Sequence, residues 1–196
     1  MRHALFATAL LLCPALASGA AAQATMQGQG PSIPGPLPEA PAGQAFATAE
    51  LAGPDGARLG TAAFVETPAG VLIQIRLQNV PPGMHGLHIH ERGACEPPDF
   101  RSAGGHYNPD GRAHGYMAPG GVHAGDLPNL FAASNGEAGA DILTDRVSLG
   151  TGANTLFPEG GTALVLHSGP DDYRTDPAGA SGDRIACGVI LRTTQP

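Results

Sequence analysis

Apolar side chains occupy every second position in the segment 70–78, and the positions between them from residue 74 onward are polar. The apolar set is Val71, Ile73, Ile75 and Leu77. Successive side chains of a β-strand point to opposite faces, so this alternation predicts a strand with one buried face and one solvated face.

Weaker strand patterns precede and follow this segment. Residues 44–51 and 59–66 are separated by the turn sequence Gly-Pro-Asp-Gly at 53–56, which predicts an antiparallel meander. Later candidates are residues 86–90, 162–167 and 185–191. Short strands separated by turn signals, with no internal repeat, predict an all-β domain that is a sandwich or a barrel.

The stretch 91–129 has no hydrophobic period and is rich in Gly, Pro, Asn and Asp. A loop of this length inside a compact domain is either functional or disordered.

The N-terminus has the pattern of an export signal. Arg2 and His3 precede an apolar run at 4–16 and then small residues, with Ala-Ala-Ala at 20–22 or Ala-Gln-Ala at 22–24 as alternative cleavage sites. The run is too short to span a bilayer comfortably, so no stable membrane span is expected. A lipoprotein cysteine at Cys13 is disfavoured because Leu12 stands where a small residue is expected. We predict a signal peptide at 1–24 and a periplasmic or secreted protein.

A Pro/Gly-rich segment follows the signal. Nine of the eighteen residues at 26–43 are Gly or Pro, which predicts a flexible spacer at 25–43 and a folded domain at 44–196. Removal of the signal leaves only Cys95 and Cys187, and two cysteines in an exported chain predict one disulfide.

Composition narrows the function classes. The chain has 29 Gly and 19 Pro and only 14% charged residues, which disfavours long helices and coiled coils. All ten basic residues are Arg, the net charge is −7, and no basic stretch stands out. Binding of nucleic acid is therefore not expected.

The histidines carry the candidate chemistry. Six of the eight lie between residues 85 and 123. His88 and His90 are two apart on a predicted strand and point to the same face, where both can reach one ion. A second group, His106, His114, His123 and Asp126, offers a tetrahedral zinc site. The alternative is a glycine-rich loop with incidental histidines. His167, taken alone, fits a capped core histidine better than a ligand.

Five segments occur in order: GLHIHE at 86–91, GHYNP at 105–109, HAGDL at 123–127, LHSGPDD at 166–172 and GDRIACGVI at 182–190. Together they resemble the copper/zinc superoxide dismutases, in particular the exported bacterial ones. The resemblance implies an all-β, Greek-key antiparallel β-sandwich or barrel with long metal-binding and electrostatic loops.

The resemblance also implies residue roles. It gives copper to His88, His90, His106 and His167, and zinc to His106, His114, His123 and Asp126. His106 would bridge both ions as an imidazolate. Asp171, rather than its neighbour Asp172, resembles the carboxylate that links a copper-side to a zinc-side histidine, and His85 resembles a structural histidine. Cys95 and Cys187 match the family disulfide, and Arg184 resembles the cation that attracts the substrate anion beside copper.

The implied activity converts superoxide to dioxygen and hydrogen peroxide through alternating Cu(II) and Cu(I), with zinc structural and tuning. His106 would release copper and take up a proton on reduction and then return that proton. Relatives of this kind are homodimers or monomers. One alternative is a non-enzymatic periplasmic copper/zinc-binding or copper-delivery protein on the same fold, which would lack the full copper set or Arg184. Another is a zinc hydrolase, which a saturated zinc site without bound water disfavours.

Steering of the anion departs from the usual pattern. The chain has no Lys, the loop at 173–183 carries only Arg174 as a base, and Asp183 directly precedes Arg184. Steering is therefore expected to be weaker, or to pass through Arg174 or Arg112.

Overall fold

The computed structural model describes Met1 and residues 46–193, and these contain ten β-strands and one short 3-10 helix. The strands are β1 (Phe46–Ala52), β2 (Arg58–Thr67), β3 (Gly70–Leu77), β4 (Gly83–His85), β5 (Leu87–His90), β6 (Leu130–Ala132), β7 (Ala138–Thr144), β8 (Ala163–His167), β9 (Arg184–Val189) and β10 (Leu191–Arg192). The 3-10 helix is Arg101–Ala103. The predicted signal peptide and spacer lie outside the described residues.

All of the strand pairs are antiparallel, in the order β4-β6-β7-β3-β2-β1-β9-β8-β5, and β10 adds to β1. The two outermost strands, β4 and β5, are consecutive in the chain and are joined at Gly86, so the sheet curls into a nearly closed barrel. The prediction of an antiparallel all-β fold is confirmed. The meander of β1, β2 and β3 is present as predicted, with eight register pairs between β2 and β3.

The core lies inside the barrel. The alternating set on β3 is at most 1% exposed, and it packs with Phe64 and Leu164 from other strands. The opposite face of β3 is not fully solvated. Gln74 is only 8% exposed, and its amide donates to the Asp141 carboxylate of β7 at 3.1 Å.

The edge of β5 is covered by the long loop rather than by another strand. The Ile89 N–H donates to the carbonyl of Gly125 at 2.8 Å, and the Ile89 carbonyl accepts the N–H of Tyr107 at 2.8 Å. Two isolated bridges, His88 with Asp126 and His90 with His106, extend this pairing. The aperiodic loop therefore lies along β5, and it pairs with the main-chain N–H and carbonyl groups at the exposed edge of this strand.

A disulfide between Cys95 and Cys187 ties the segment after β5 to β9, with 5.6 Å between the two Cα atoms.

Within residues 46–193, no helix is long and apolar enough to cross a membrane.

We expect replacement of both Cys95 and Cys187 by Ser to lower the free energy of unfolding of the metal-free protein by about 4 to 5 kcal/mol, because the bond closes a long loop in the unfolded chain. The sequence separation is 92 residues. Denaturant unfolding of the two metal-free proteins measures the difference. A loss below about 1 kcal/mol would show that the crosslink does not constrain the unfolded chain in this way.

Candidate metal centre

Four buried imidazoles converge beside β5 and the end of β8, on the side of β5 opposite the barrel core, and each has a ring nitrogen without a hydrogen-bond partner. These atoms are His88 Nδ1, His90 Nε2, His106 Nε2 and His167 Nε2. The ligand atoms that the four residues offer lie within 4.8 Å of one another. Buried polar atoms are almost always satisfied in folded proteins, so four unsatisfied nitrogens that lie close together indicate a site that can bind a metal ion.

The second nitrogen of three of these rings fixes which nitrogen carries the proton. His88 Nε2 faces the Asp171 carboxylate at 2.8 Å, His90 Nδ1 faces the carbonyl of Gly104 at 3.0 Å, and His167 Nδ1 faces the carbonyl of Gly182 at 3.3 Å. An oxygen acceptor requires an N–H at that position, so in each neutral ring the lone pair is on the unpartnered nitrogen. The rings are thus oriented to ligate.

The remaining ring, His106, has no such backbone partner. Its Nε2 belongs to the first group, and its Nδ1 lies 2.8 Å from Asp126 Oδ1 in a second group. The second group consists of His106, His114, His123 and Asp126. His106 therefore offers one nitrogen to each of two donor sets.

In the second group, three imidazole nitrogens face a single carboxylate oxygen. The distances to Asp126 Oδ1 are 2.8 Å from His106 Nδ1, 3.1 Å from His114 Nδ1 and 3.3 Å from His123 Nδ1. Three histidines and one carboxylate with atoms this close match the ligand types and number of a tetrahedral zinc site.

Main-chain amides hold the other oxygen of Asp126. Oδ2 accepts the N–H of Gly115 at 3.0 Å and that of His123 at 3.1 Å, which leaves Oδ1 aimed at the imidazoles. Burial raises the pKa of this carboxyl, but hydrogen bonds from His106, His123 and the Gly115 amide outweigh it and hold the pKa far below the usual range. Asp126 is therefore ionised at neutral pH.

Burial keeps three rings of the first group neutral. It lowers the pKa of His106 to about 4 and that of His167 to about 3, and the pKa of His90 also falls well below its usual value. The charge of Arg184 adds to the lowering at His90 and His167. Neutral imidazoles present lone pairs at neutral pH, as ligation requires.

Asp171 lies between the two groups. Its Oδ2 accepts from His88 Nε2 at 2.8 Å and its Oδ1 accepts from His114 Nε2 at 3.0 Å. Burial opposes ionisation, yet hydrogen bonds from both histidines and from the amide of Tyr173 lower the pKa of Asp171 to about 2. Asp172 instead lies at the surface, where its carboxylate accepts from the amides of Arg174 and Thr175. Of the two neighbours, the structure brings Asp171 to the histidines.

Gly179 makes room for this carboxylate bridge. It has φ +64°, and a Cβ there would overlap Asp171 Oδ1 and crowd His114 Nε2 at 2.7 Å. A side chain is therefore excluded by both space and backbone conformation.

His85 lies outside both groups. Its Nδ1 contacts the carbonyl of His167 and its Nε2 contacts the carbonyl of Pro81, each at 2.7 Å. Both ring nitrogens are occupied, so the ring fastens β4 to the end of β8 and offers no ligand atom.

Arg184 lies beside the first group and is held by two carbonyls. Its Nη1 donates to Phe100 O at 2.7 Å and its Nη2 donates to Gly104 O at 2.6 Å. The Gly104 carbonyl also accepts from His90 Nδ1, so one oxygen positions both the cation and a ring of the first group. Among residues 46–193, no ion pair joins Asp183 to Arg184.

The other candidate steering cations are placed differently. Arg112 lies 3.6 Å from Asp110 in an exposed ion pair, which offsets its charge. Arg174 is exposed, and its Nε donates to the sulfur of Met117 at 3.4 Å.

The sequence pattern did not identify several residues that support the site. Asn129 makes two hydrogen bonds to the main chain of Asp171, at 2.8 and 2.9 Å. Tyr116 and Arg146 both contact the carbonyl of Asp126. These residues are spread over two loops with no fixed spacing, and only their proximity to the ligand groups in the folded chain reveals them.

Comparison with known proteins shows that the chain is similar to copper/zinc superoxide dismutases. The family model described as "Copper/zinc superoxide dismutase (SODC)" matches residues 58–190. "Superoxide dismutase [Cu-Zn] 2" of Aquifex aeolicus is 52% identical over 146 residues, which cover 74% of this chain and 85% of that protein. "Superoxide dismutase [Cu-Zn]" of Caulobacter vibrioides is 44% identical over 147 residues, 74% of this chain and 84% of that protein.

Solved structures agree with the fold. The crystal structure of a SOD-like protein from Bacillus subtilis superimposes with a TM-score of 0.71 at 38% identity, covering 74% of this chain and 97% of that one.

We expect Asp171→Asn to weaken the binding of at least one metal ion by about 10- to 100-fold, because an amide can accept from only one of the two histidines and forces the other ring into the wrong tautomer. Separate competition titrations with copper and zinc chelators measure this. Asp172→Asn, a matched change at the adjacent exposed residue, leaves both affinities unchanged. Equal affinities for wild type and Asp171→Asn would contradict the orienting role.

Proposed function

The chain belongs to the copper/zinc superoxide dismutase family, and on that premise we propose how its residues disproportionate superoxide. The reaction converts two superoxide anions and two protons to one dioxygen and one hydrogen peroxide. The chain is an oxidoreductase that uses copper and zinc. The observation that carries the assignment of residues is that His106 presents one nitrogen to each of two buried donor sets.

We assign copper to the four unpartnered nitrogens of His88, His90, His106 and His167, and zinc to His106, His114, His123 and Asp126. Bound there, copper supplies one-electron chemistry by alternating between Cu(II) and Cu(I), whereas zinc has no redox chemistry and fixes the shared ring. The orphaned buried nitrogens support the first assignment, and the convergence of three imidazoles on one carboxylate oxygen supports the second.

His106 is the residue that we assign to proton transfer. Its Nδ1 is committed to the zinc-side group, so Nε2 is the atom that can gain a proton when it is not acting as a ligand. Burial holds the proton affinity of this ring low, which favours release of the proton to a basic reduced oxygen species. The ring thus supplies one of the protons that hydrogen peroxide needs.

Arg184 is the residue that we assign to anion binding. Its guanidinium is fixed by two carbonyls and lies near enough to His90 and His167 to affect their pKa values. The protein is net negative and the substrate is an anion, so a local positive field at this cation must offset the overall charge.

We also propose that the protein is exported to the periplasm or secreted. The Cys95–Cys187 disulfide supports an oxidising compartment, and the arrangement of basic, apolar and small residues at 1–24 supports cleavage of a signal peptide.

We expect His106→Gln to lower kcat/KM for superoxide by at least about 100-fold, because the proton donor and the shared ligand are both lost. Superoxide decay after pulse radiolysis measures the rate, and elemental analysis of the same sample establishes its copper content. Undiminished activity in copper-replete His106→Gln would overturn the assignment.

We expect kcat/KM to fall as ionic strength rises at fixed pH, because salt screens the attraction of superoxide to Arg184. Arg184→Gln lowers the low-salt rate by about tenfold or more and removes most of the salt dependence, while Arg184→Lys retains part of it. Arg192→Gln, which removes one positive charge at a residue stacked on Phe157, serves as the control. A flat or rising salt profile for wild type would refute steering by Arg184.

A further inference from the structure

A pair of side chains outside both ligand groups holds the main chain of the zinc-side carboxylate. Arg146 Nη2 donates to the carbonyl oxygen of Asp126 at 2.8 Å, and the Tyr116 hydroxyl donates to the same oxygen at 2.8 Å. Arg146 Nη2 also donates to the Tyr116 hydroxyl at 3.0 Å. The three groups form a closed triangle, which we call the Asp126 clamp.

Contacts with the Tyr116 ring help to hold the side chains of the clamp in place. The guanidinium of Arg146 lies over the Tyr116 ring, with 5.3 Å from Cζ to the ring centroid, and Tyr116 packs edge-on against Tyr173 at 5.3 Å. Arg146 follows β7 and Tyr116 belongs to the loop that carries His114, so the clamp joins the barrel wall to the loop of zinc-side ligands.

The clamp completes the immobilisation of Asp126. Two main-chain amides fix Oδ2 of the side chain, whereas the clamp fixes the residue's own peptide carbonyl. With both ends held, Oδ1 has little freedom to turn away from the three imidazoles. Outer partners of this kind typically change metal affinity by about 10- to 100-fold.

Electrostatics alone would give the opposite effect. A guanidinium near a divalent cation repels it, so a pure charge effect predicts tighter zinc binding when Arg146 is neutralised. Arg146 as a residue is, however, partly exposed to solvent, which screens its charge even though its Nε is buried without a hydrogen-bond partner. Its Nη2 hydrogen bonds to Asp126 and Tyr116 are short and directed. Positioning therefore outweighs repulsion.

We propose that Arg146 and Tyr116 are positioning residues that slow the release of zinc by holding Asp126, without a matching effect on copper. This inference rests on the proposed assignment of Asp126 as a zinc ligand. On this proposal the clamp slows zinc release independently of Asp171, which contacts a histidine of each donor group.

The test measures zinc release from the fully metallated protein into a chromophoric zinc chelator, and copper release into a copper-specific chelator. Arg146→Gln removes the guanidinium, Arg146→Lys keeps the charge but loses the planar fork, and Tyr116→Phe removes only the hydroxyl and keeps the ring. Arg192→Gln is the matched control, because this arginine also stacks on an aromatic ring, at 3.9 Å from Phe157, and has no contact with a metal-site residue.

We expect zinc release to be about tenfold or more faster in Arg146→Gln and severalfold faster in Arg146→Lys and Tyr116→Phe, with copper release changed by less than about twofold. The visible bands of cobalt(II) placed in the zinc site shift or broaden in the clamp variants and not in Arg192→Gln. A general loss of stability would instead speed the release of both metals and lower the melting temperature of the metal-free protein in proportion.

Unchanged or slower zinc release in Arg146→Gln and Tyr116→Phe would overturn the clamp. Asp126→Asn separates this failure from failure of the site itself. If Asp126→Asn speeds zinc release while the clamp variants do not, only the clamp is wrong. If Asp126→Asn has no effect, the zinc assignment is wrong and the clamp falls with it.

Discussion

The metal centre depends on the pairing of one short strand, β5 (Leu87–His90), with a loop. Ile89 exchanges main-chain hydrogen bonds with Tyr107 and Gly125, and this pairing brings His106 and Asp126 to the edge of the strand. A Cβ at position 125 would overlap the Ile89 carbonyl, so the close approach needs glycine. Because the side-chain period of a strand is two, a slip of one residue would turn His88 and His90 into the core and remove them from the loop.

Once the rings are together, the hydrogen bond at one nitrogen of each ring determines whether the other nitrogen presents a lone pair to a metal ion. Carbonyls and the Asp171 carboxylate accept the N–H of His88, His90 and His167, and the lone pairs of these rings are thereby directed to a common point. His106 differs because the acceptor that faces its Nδ1, the Asp126 carboxylate, itself belongs to the second donor group, so this ring faces both groups. The Gly104 carbonyl accepts hydrogen bonds from both His90 and Arg184, so it orients the ring and holds the guanidinium beside it. The orientations of this ring and of the guanidinium thus depend on a single main-chain oxygen.

The strands that could be predicted from the sequence are those with a clear alternation of apolar and polar residues or with clear turn residues beside them. β3 shows strict alternation, and its partners are defined by turn residues, so the meander of β1 to β3 followed from local sequence. β6 and β7 could not be found in this way. β7 reads Ala-Gly-Ala-Asp-Ile-Leu-Thr, a sequence with little hydrophobic contrast, and it is a strand because seven of its residues pair with β3 across a long sequence gap. Tertiary pairing outweighs weak local propensity at such positions.

The sequence by itself determined which residue types are present for metal binding, because imidazoles and carboxylates at compatible spacings are rare outside such sites and the resemblance gave each one a role. It could not determine how they are held. Asp171 and Asp172 are chemically identical neighbours, and only the path of the chain around Gly179 places one carboxylate between two histidines and leaves the other at the surface. Tyr116 and Arg146 likewise gain their contact with Asp126 only when loops distant in sequence fold together. Residue chemistry is local, whereas hydrogen-bond partners are set by distances that exist only in the folded chain.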